Sequence, residues 1–592
     1  MTDLSPLRQW LKRHQLSAFI FPSTDPHNGE YVPDHWKTRE WISGFNGSAG
    51  TAVVTLDGAA LWTDSRYFLA AEEQLKGSEF RLMKEKLPET PSIVEWLAQV
   101  LPKGSQVGID GQVNSLQQWR QLTKELQQHQ LALAWHGDPA SELWTDRPAL
   151  PSTPIEIQPI EYAGEEARHK IERVRKELRK LYTCGIFITQ LDDIAWLTNL
   201  RGSDVHCCPL FVSYMLVTLD EATLYVDPDK VSDEVKAYLK QQGIALKSYF
   251  SASTGLSGYL YKDILLDPAC TTVELSSCVP NDTKILEHAS PIPAMKAIKN
   301  EAEIAGYRNA MRKDGVALVK FLKWLLPAVK AGGQTEISID QKLTALRAEQ
   351  PLYRDISFDT IAGYGAHGAI VHYEATPDTD IPLEPRGLLL LDSGAQYQDG
   401  TTDITRTIAL GPLTEEEMTD YTLVLKGHIR LAMAKFPSGA SGTQLDALAR
   451  YAMWQHGLNF LHGTGHGVGS YLNVHEGPHQ IRMNYMPAPL VAGMTVTNEP
   501  GIYKTGKHGC RTENTQLITH YCDGEFGEFL QFEPLTLCPI DTAPIRIEMM
   551  AADEIEWLNQ YHRHVYDELS PLLDGEDREW LREATRPIGN ES

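Results

Sequence analysis

Short apolar runs and amphipathic stretches alternate along the first half of the chain. Three runs, LSAFIFPS, GTAVVTL and AALWTD, predict short buried strands. Two stretches, SIVEWLAQVL and LQQWRQLTKELQQ, have the apolar spacing of helices. A proline-rich segment, DRPALPSTPIEIQP, follows and is typical of a linker. The pattern predicts a first α/β domain over residues 1–153.

A second α/β pattern follows this segment. It opens with a charged helix over residues 164–181, whose apolar positions share one face: Ile171, Val174, Leu178 and Leu181. The runs IAWLTNL, LFVSYMLVTL and ATLYVD predict strands. The phrase ALWTDSRYF of the first pattern resembles ATLYVDP of the second, which hints at a duplicated unit. We expect a second α/β domain over residues 154–297.

A third region begins with a long amphipathic helix. Asn300 and Glu303 have the spacing of a capping box, and the helical pattern runs to Leu326. We expect Pro327 to end this helix. Helical patterns return from about residue 540, so residues 298–592 are predicted to form a third domain with a helical extension.

Two pairs of carboxylates stand out in the third region. Asp392 and Asp403 flank a predicted hairpin, in which residues 388–391 form a buried strand, 397–400 the turn and 401–408 the return strand. The midpoint of the two aspartates falls at 397/398, within that turn. We therefore expect Asp392 and Asp403 to lie side by side across the hairpin.

Glu499 and Glu513 repeat this arrangement around a turn at residues 505–509. Their midpoint is Gly506. Directly opposed residues of a hairpin have Cβ atoms about 5 Å apart, and like charges there are destabilising. Four clustered carboxylates need compensating positive charge, and two divalent cations with a hydroxide between them supply it. The two hairpins therefore predict a dinuclear metal site.

His466 is the best candidate for a further metal ligand. It lies in the glycine-rich segment LHGTGHGVGS, where the backbone can approach a cluster closely. An oxygen-rich site with one imidazole favours Mn²⁺, Fe²⁺ or Co²⁺ over a thiolate-type zinc site. Two such ions can share and activate a hydroxide, which is hydrolytic chemistry. Glu499 at the edge of the metals could carry the proton that the leaving nitrogen requires.

Other residues nearby admit more than one interpretation. His372, His462 and His475 could bind a substrate carbonyl or its oxyanion, and Arg511 could hold a neighbouring carboxylate. Alternatively, His372 is a satisfied core histidine, His462 and His466 form an exposed pair on a helix, and Arg511 is a surface charge. The joint pattern of two acidic hairpins around a His-Gly segment favours the functional interpretation.

Composition narrows the class of protein. The 592 residues are 42% hydrophobic and 22% charged, which is ordinary for a globular protein of several domains. A net charge of −24 argues against nucleic acid or an anionic membrane surface as partner. We expect no transmembrane helix and no signal peptide. The eight scattered cysteines predict free thiols and a cytoplasmic protein, and the adjacent Cys207 and Cys208 are poorly placed to share one metal.

Several motifs together resemble a known family. The phrases LLDSGAQYQDGTTDITRT, HGTGHGVGSYLNVHEGP, TVTNEPGIY and GCRTEN resemble the metallopeptidases with the pita-bread fold. EYVPDHWKTREWISGFNGSAGTAVVT and DDIAWLTNLRGSDV are similar to the long, three-domain cytosolic aminopeptidases P. The resemblance implies an α/β and α+β architecture, in which two creatinase-like α/β domains precede a pita-bread catalytic domain.

The resemblance also implies roles for individual residues. The family pattern places two Mn²⁺ ions on five ligands, with Asp403 and Glu513 shared between the ions. Asp392 would complete one ion, and His466 and Glu499 the other. The remaining catalytic and substrate-binding positions would be His372, His462, His475, Tyr503 and Arg511. Thr512 and Cys510 depart from the aliphatic residues usual beside Arg511, and neither is a ligand.

The family hydrolyses the bond between an N-terminal residue and proline. Such a tertiary amide resists general peptidases because proline has no N–H and a fixed φ. A pocket for the ring is therefore expected, and His372 and His475 beside aromatics such as Tyr373 are candidates for its wall. The resemblance further implies peptide substrates and a homodimer formed through the catalytic domain. Two alternatives are a prolidase, restricted to Xaa-Pro dipeptides, and a non-catalytic relative that binds peptides or histones.

Overall fold

A computed structural model describes residues 3–589. The chain divides into two compact units. The first unit ends at Ile160 and resumes over Glu165–Ile292. The second comprises Glu161–Gly164 and the chain from Pro293 onward.

The first unit begins with a six-stranded sheet. Its strands are, in spatial order, Phe80–Lys84, Ala59–Thr63, Thr51–Thr55, Ala18–Pro22, Gln106–Asp110 and Ala132–His136. The accompanying helices are Ser5–Arg13, Thr38–Ser43, Phe68–Gln74, Ile93–Val100, Leu116–Gln128 and Ala140–Leu143. The three strands and two helices predicted here are confirmed. Capping boxes at Ser92 and Ser115 explain where the two predicted helices begin.

A second six-stranded sheet follows in the same unit. Its strands are Ala245–Lys247, Ala222–Val226, Ser213–Thr218, Gly185–Ile188, Asp263–Leu266 and Lys284–Glu287. Its helices are Ala167–Lys180, Leu191–Thr198, Asp233–Gln241, Ala252–Ser257 and Val273–Ser277, and a small ladder joins Glu156–Ile157 to Leu200–Arg201. The parallel and antiparallel pairings repeat those of the first sheet. Ala59–Thr63 and Ala222–Val226 hold equivalent places, which supports the predicted duplication.

One predicted strand of this region is wrong. The run IAWLTNL forms most of the helix Leu191–Thr198. Seven of the eight helix residues are buried, so the segment lacks the polar face that identifies an amphipathic helix. Asp192 and Asp193 in the first turn and the left-handed Asn199 at the end are the features that favour the helix.

The second unit is built from short sheets and long helices. Two three-stranded sheets contain Tyr353–Ile356, Ala395–Tyr397 and Gly400–Thr401, and Ile361–Tyr364, Leu388–Ser393 and Ile404–Ala409. A four-stranded sheet contains Lys435–Pro437, Gly527–Pro534, Asn514–Gly524 and Thr495–Asn498. Two ladders pair Gly465–Gly467 with Glu476–Ile481, and Gly501–Lys504 with His508–Arg511. The helices are Ile292–Ala297, Glu301–Ala331, Glu336–Ala348, Glu415–Ala432, Gly442–Trp454, Ala552–Leu569 and Gly575–Ala584; the short helix Ile160–Ala163 precedes Gly164.

The long helix Glu301–Ala331 begins as predicted and ends later than predicted. Asn300 and Glu303 form a reciprocal capping box. Pro327 lies inside the helix rather than at its end. The side chains of Leu325 and Val329, on either side of the proline in sequence, are buried in one apolar cluster. This burial stabilises the helix enough for it to continue beyond Pro327, which has no N–H to donate.

The strand Leu388–Ser393 is buried on both faces. Leu389 and Leu391 pack in one apolar cluster, and Leu390 packs in another with Ile361 and Tyr373. This burial fixes the strand firmly, and its last two residues are Asp392 and Ser393. The core of the unit therefore determines where the first candidate ligand lies.

Between residues 3 and 589, no helix is both long and apolar enough to cross a membrane. All eight cysteines lie in the described part of the chain and are free thiols, as predicted.

Candidate metal centre

The first acidic hairpin is confirmed, but its register differs from the prediction. Leu388–Ser393 pairs antiparallel with Ile404–Ala409, and the residue opposite Asp392 is Thr405. Asp403 lies two positions from Thr405, diagonally across from Asp392. The expected direct pairing of the two aspartates is wrong.

The position of the turn explains this shift. Tyr397 pairs with Gly400, so the turn is centred between Gln398 and Asp399, one residue later than predicted. A turn displaced by one residue moves the pairing by two residues. Because side chains alternate along a strand, a shift of two keeps Asp403 on the same face as Thr405.

The second acidic hairpin has the predicted register. Asn498 pairs with Asn514 on one side of the glutamates, and Gly501 pairs with Arg511 on the other. Glu499 and Glu513 therefore stand opposite each other. The turn contains Gly506 with a φ of 76°, a left-handed conformation that glycine adopts easily.

Direct contacts join the two hairpins. The amide of Glu513 donates to the carbonyl oxygen of Thr405 at 3.1 Å. The hydroxyl of Thr515 donates to the carbonyl oxygen of Asp403 at 3.1 Å. These bonds bring the carboxylates of Asp403 and Glu513, which are 110 residues apart in sequence, into one buried cluster.

His466 lies on the strand Gly465–Gly467, not on a helix. Its Nε2 atom is 3.4 Å from Oδ2 of Asp403 and 3.3 Å from Oε1 of Glu499. Ligand atoms of Asp403, His466 and Glu513 all lie within 4.8 Å of one another. The structure thus brings together the five residues predicted as metal ligands.

Two glycines let His466 reach this cluster. A Cβ atom at Gly465 would lie 2.0 Å from the carbonyl oxygen of Thr497, and one at Gly467 would lie 2.4 Å from that of Glu476. Either distance is a severe clash, so only glycine fits on each side of the histidine. The glycine-rich pattern has the structural role that the sequence indicated.

Burial and mutual repulsion perturb two of the carboxylates. Burial, together with the charges of Asp403 and Glu499, raises the pKa of Asp392 to about 7 against the opposing charge of Arg511. Burial and then the charges of Asp403 and Glu499 raise the pKa of Glu513 well above its ordinary value. Four acidic groups this close need a positive charge among them.

The imidazole supplies part of that charge when no cation is present. Burial disfavours the charged form of His466, but its contacts with Asp403 and Glu499 outweigh burial and raise its pKa well above the ordinary value. Burial is the largest single influence and raises the pKa of Glu499, but the bond with His466 and the charges of His466 and Arg511 together bring that pKa down to about 2. Nε2 of His466 therefore lies among the carboxylates at the place where a cation would bind.

The donor atoms of the cluster fit divalent cations. Oδ1 of Asp392 and Oε1 of Glu513 are buried and accept no hydrogen bond from any residue in the range 3–589. Nδ1 of His466 donates to the carbonyl oxygen of Gly467 at 2.8 Å, which leaves Nε2 as the ligand atom. Unpartnered carboxylate oxygens are costly inside a protein unless a metal or a proton binds them.

A hydrogen-bonded chain runs outward from Asp392. Nη2 of Arg511 donates to Oδ2 of Asp392, and Nη1 donates to the hydroxyl of Tyr503, both at 2.7 Å. That hydroxyl in turn donates to Nε2 of His462 at 2.7 Å. Burial lowers the pKa of His462 to about 4, so this histidine is neutral, and its Nδ1 donates to the carbonyl oxygen of Gly463. Arg511 is 1% exposed and is not a surface charge.

The remaining histidines lie beside this network. The ring of His475 meets that of His466 edge to face, with centroids 4.4 Å apart. His372 follows Val371, whose carbonyl oxygen accepts a bond from Arg511 at 3.4 Å. Tyr373 does not suit the predicted pocket wall, because its ring is buried in the core and its hydroxyl donates to Glu336 at 2.7 Å.

Sequence reasoning missed Thr405. Its hydroxyl donates to Oε2 of Glu513 at 2.7 Å. The signal was available, because Thr405 follows Asp403 by two residues on a strand and so shares its face.

Protein-family models match four successive segments of the chain. Residues 305–520 match metallopeptidase family M24, and residues 528–588 match the C-terminal region of that peptidase family. Residues 4–134 and 146–303 each match the creatinase/prolidase N-terminal domain.

Full-length relatives decide the family. Aminopeptidase P2 of Arabidopsis thaliana is 41% identical over 97% of this chain and 86% of its own length. The chain belongs to the aminopeptidase P group of metallopeptidase family M24. A solved X-prolyl aminopeptidase from Caenorhabditis elegans, described as cytosolic with a di-nuclear active site, is similar with a TM-score of 0.92. It is 36% identical, and the match covers 97% of this chain and 95% of that one.

A more distant likeness shows the fold alone. The Xaa-Pro dipeptidase from Bacillus anthracis is 24% identical over 64% of this chain, with a TM-score of 0.52. The chain is a metallopeptidase with the creatinase-type and pita-bread architecture that the motifs predict. Membership also supports two divalent cations as its cofactors.

Proposed function

We propose that this M24 enzyme removes the N-terminal residue from peptides whose second residue is proline. The observation that carries the hydrolytic part is the buried cluster of Asp403, His466 and Glu513 with unpartnered oxygens beside it. The full-length similarity to aminopeptidases P supports the preference for proline. An acidic chain with a net charge of −24 suits neither nucleic acid nor an anionic membrane as partner.

Five residues would hold the two cations, which we propose to be Mn²⁺. Asp403 and Glu513 would lie between the ions, Asp392 would complete one, and His466 and Glu499 the other. Oxygen-rich donor sets with a single imidazole suit Mn²⁺. When bound, two such ions supply a bridging hydroxide as the nucleophile and positive charge for the tetrahedral oxyanion.

The chain's own groups would handle the substrate and its proton. Glu499 accepts a hydrogen bond from Thr497 at 3.1 Å and faces the cluster, so it is placed to carry a proton toward the proline nitrogen that leaves. Neutral His462, together with His372 and His475, would bind the substrate. Arg511 and Tyr503 would hold Asp392 and His462 in place.

Steady-state kinetics test this proposal. We expect cleavage of Arg-Pro-Pro and of longer peptides with proline in second position, and a loss of at least about 100-fold in kcat/KM when alanine replaces that proline. Strong preference for Xaa-Pro dipeptides would instead establish a prolidase. Hydrolysis without regard to the second residue would overturn the assigned specificity.

We also propose that the enzyme is a homodimer that forms through the catalytic unit. The helix Gly442–Trp454 exposes Leu448, Tyr451 and Trp454 at intervals of three residues, which places them on one face. Large apolar side chains that share an exposed face indicate an interaction surface. A second copy of the chain is the partner that the aminopeptidase P resemblance implies.

Two further proposals concern location and division of the chain. Eight free thiols suit a reducing compartment, so we propose a cytoplasmic enzyme, as the Caenorhabditis elegans relative is described. Domain boundaries at 153/154 and 297/298 are supported by the two similar six-stranded sheets of the first unit. Limited proteolysis followed by mass spectrometry would test these boundaries.

A further inference from the structure

Thr405 occupies a junction between two candidate ligands. It lies opposite Asp392 in the first hairpin, and its backbone accepts a bond from the amide of Glu513. Its hydroxyl donates to Oε2 of Glu513 at 2.7 Å and accepts a bond from Nε of Arg511 at 3.2 Å. The hydroxyl is fully buried, and its one donor hydrogen and one of its two acceptor lone pairs are used.

Arg511 extends this junction to Asp392. The same guanidinium donates from Nη2 to Oδ2 of Asp392 at 2.7 Å. Asp392 and Glu513 are thus joined through two intermediate groups, Arg511 and the hydroxyl of Thr405. Each carboxylate commits one oxygen to this chain. The other oxygen of each, Oδ1 and Oε1, is buried and has no partner among residues 3–589.

We propose that Thr405 is a positioning residue that holds Asp392 and Glu513 in one fixed arrangement, with their free oxygens directed at the cations. The inference rests on the proposed function, in which these two carboxylates bind metal. A carboxylate with both oxygens unpartnered could rotate, whereas one bound through Oε2 presents Oε1 in a single orientation. Threonine suits the task because its branched side chain is stiff at χ1 on a strand.

A neighbouring threonine provides a matched control. Thr407 lies two residues further on the same strand and is 1% exposed. Its hydroxyl also donates one bond and accepts one, at 2.8 and 3.0 Å, but both partners are backbone groups of Arg511. Thr407→Val therefore removes the same kind of buried hydroxyl without freeing a carboxylate.

The test measures Mn²⁺ binding to the full-length, metal-stripped protein by titration calorimetry. In Thr405→Val we expect the affinity of at least one site to fall by about 10- to 100-fold, as for other groups that orient metal ligands. Thr405→Ser keeps the hydroxyl and should bind within about threefold of the wild type. Thr407→Val should lower the melting temperature by a similar amount to Thr405→Val and leave Mn²⁺ affinity unchanged.

Each outcome separates the inference from the function on which it rests. Wild-type protein that binds no Mn²⁺ would refute the proposed metal site itself. Wild-type protein that binds Mn²⁺ while Thr405→Val matches Thr407→Val would refute the role of Thr405. Should Thr405→Val fail to fold, Thr405→Cys keeps a small side chain with a weaker donor: reduced affinity supports the inference, and wild-type affinity refutes it.

Discussion

Arg406 donates a hydrogen bond to the carbonyl oxygen of Glu513 at 2.7 Å and another to the hydroxyl of Tyr561 at 3.0 Å. Tyr561 belongs to the helix Ala552–Leu569 in the C-terminal region. The arginine is buried and binds three further backbone oxygens, those of Thr405, Cys538 and Pro539. The C-terminal region is therefore part of the framework that holds the second acidic hairpin.

Removal of the Tyr561 hydroxyl should weaken this framework. The single proton of this hydroxyl is shared between the carbonyl oxygens of Thr536 and Cys538, at 2.9 and 3.1 Å, and its oxygen accepts a hydrogen bond from Arg406. In Tyr561→Phe the guanidinium loses an acceptor in a buried place, so we expect the free energy of unfolding to fall by about 1–3 kcal/mol. Urea unfolding followed by circular dichroism measures the change.

Tyr566→Phe is the control for this variant. Tyr566 lies on the same helix, and its hydroxyl makes no hydrogen bond within the described residues. Its removal should change the unfolding midpoint little. Equal midpoints for Tyr561→Phe and wild type would show that the Arg406 network does not depend on the C-terminal helix.

Loss of the imidazole at His466 should abolish turnover. His466→Ala removes the Nε2 atom that faces both Asp403 and Glu499, and no other nitrogen donor among residues 3–589 completes the group of three ligand residues. We expect kcat to fall by more than about 1,000-fold and bound Mn²⁺ to fall below two ions per chain. Enzyme assays and elemental analysis of the dialysed protein measure the two effects.

His520→Ala is the matched control, since His520 is half exposed on the hairpin between Asn514–Gly524 and Gly527–Pro534. It should retain full activity and two ions. Unaltered kcat in His466→Ala would remove this residue from the ligand set.

The two acidic hairpins show how well sequence patterns predict the register of paired strands. For Glu499 and Glu513 the turn was placed correctly, so the register followed from simple counting. For Asp392 and Asp403 the turn was misplaced by one residue, and the predicted pair became a diagonal one. Turn position is set by local hydrogen bonds at Tyr397 and Gly400, which alternation of apolar residues does not determine.

Contacts between distant segments were less predictable than the hairpins. The partner of Arg511 proved to be Asp392, which is 119 residues away in sequence. The role of Thr405 likewise depends on a bridge between two hairpins. Such contacts arise from how sheets pack, and periodicity within one segment carries no information about them. The strand prediction for the segment that forms the helix Leu191–Thr198 failed for a related reason, since only tertiary packing explains the continuous burial of this helix.

A charge on the exposed helical face should disrupt the proposed dimer. Tyr451 is 63% exposed and lies between Leu448 and Trp454 on that face. Tyr451→Glu would place an unpaired carboxylate in the interface, so we expect sedimentation velocity to show half the wild-type mass. Tyr182→Glu is the control, because Tyr182 is 90% exposed in the first unit. A wild-type protein that sediments as a monomer would refute the dimer itself.

His562 should make the stability of the catalytic unit depend on pH. Its Nε2 atom accepts a hydrogen bond from the amide of Ile540 at 3.0 Å, so the folded state requires the neutral ring. Burial and then the charge of Arg406 lower the pKa of His562 to about 4. In the unfolded chain the pKa of a histidine is about 6.5.

The sign of the effect follows from these two values. Between about pH 6.5 and pH 4 the unfolded state binds a proton that the folded state does not, so this histidine's contribution to stability is lost as pH falls, by up to about 1.4 kcal/mol per pH unit. His562→Gln keeps an acceptor but does not titrate, so its free energy of unfolding should decline less than the wild type's between pH 7.5 and 5. The exposed His564 on the same helix supplies the control His564→Gln, which should follow the wild-type curve. Parallel curves for His562→Gln and wild type would show that the folded state does not require a neutral His562 ring to accept the hydrogen bond from Ile540.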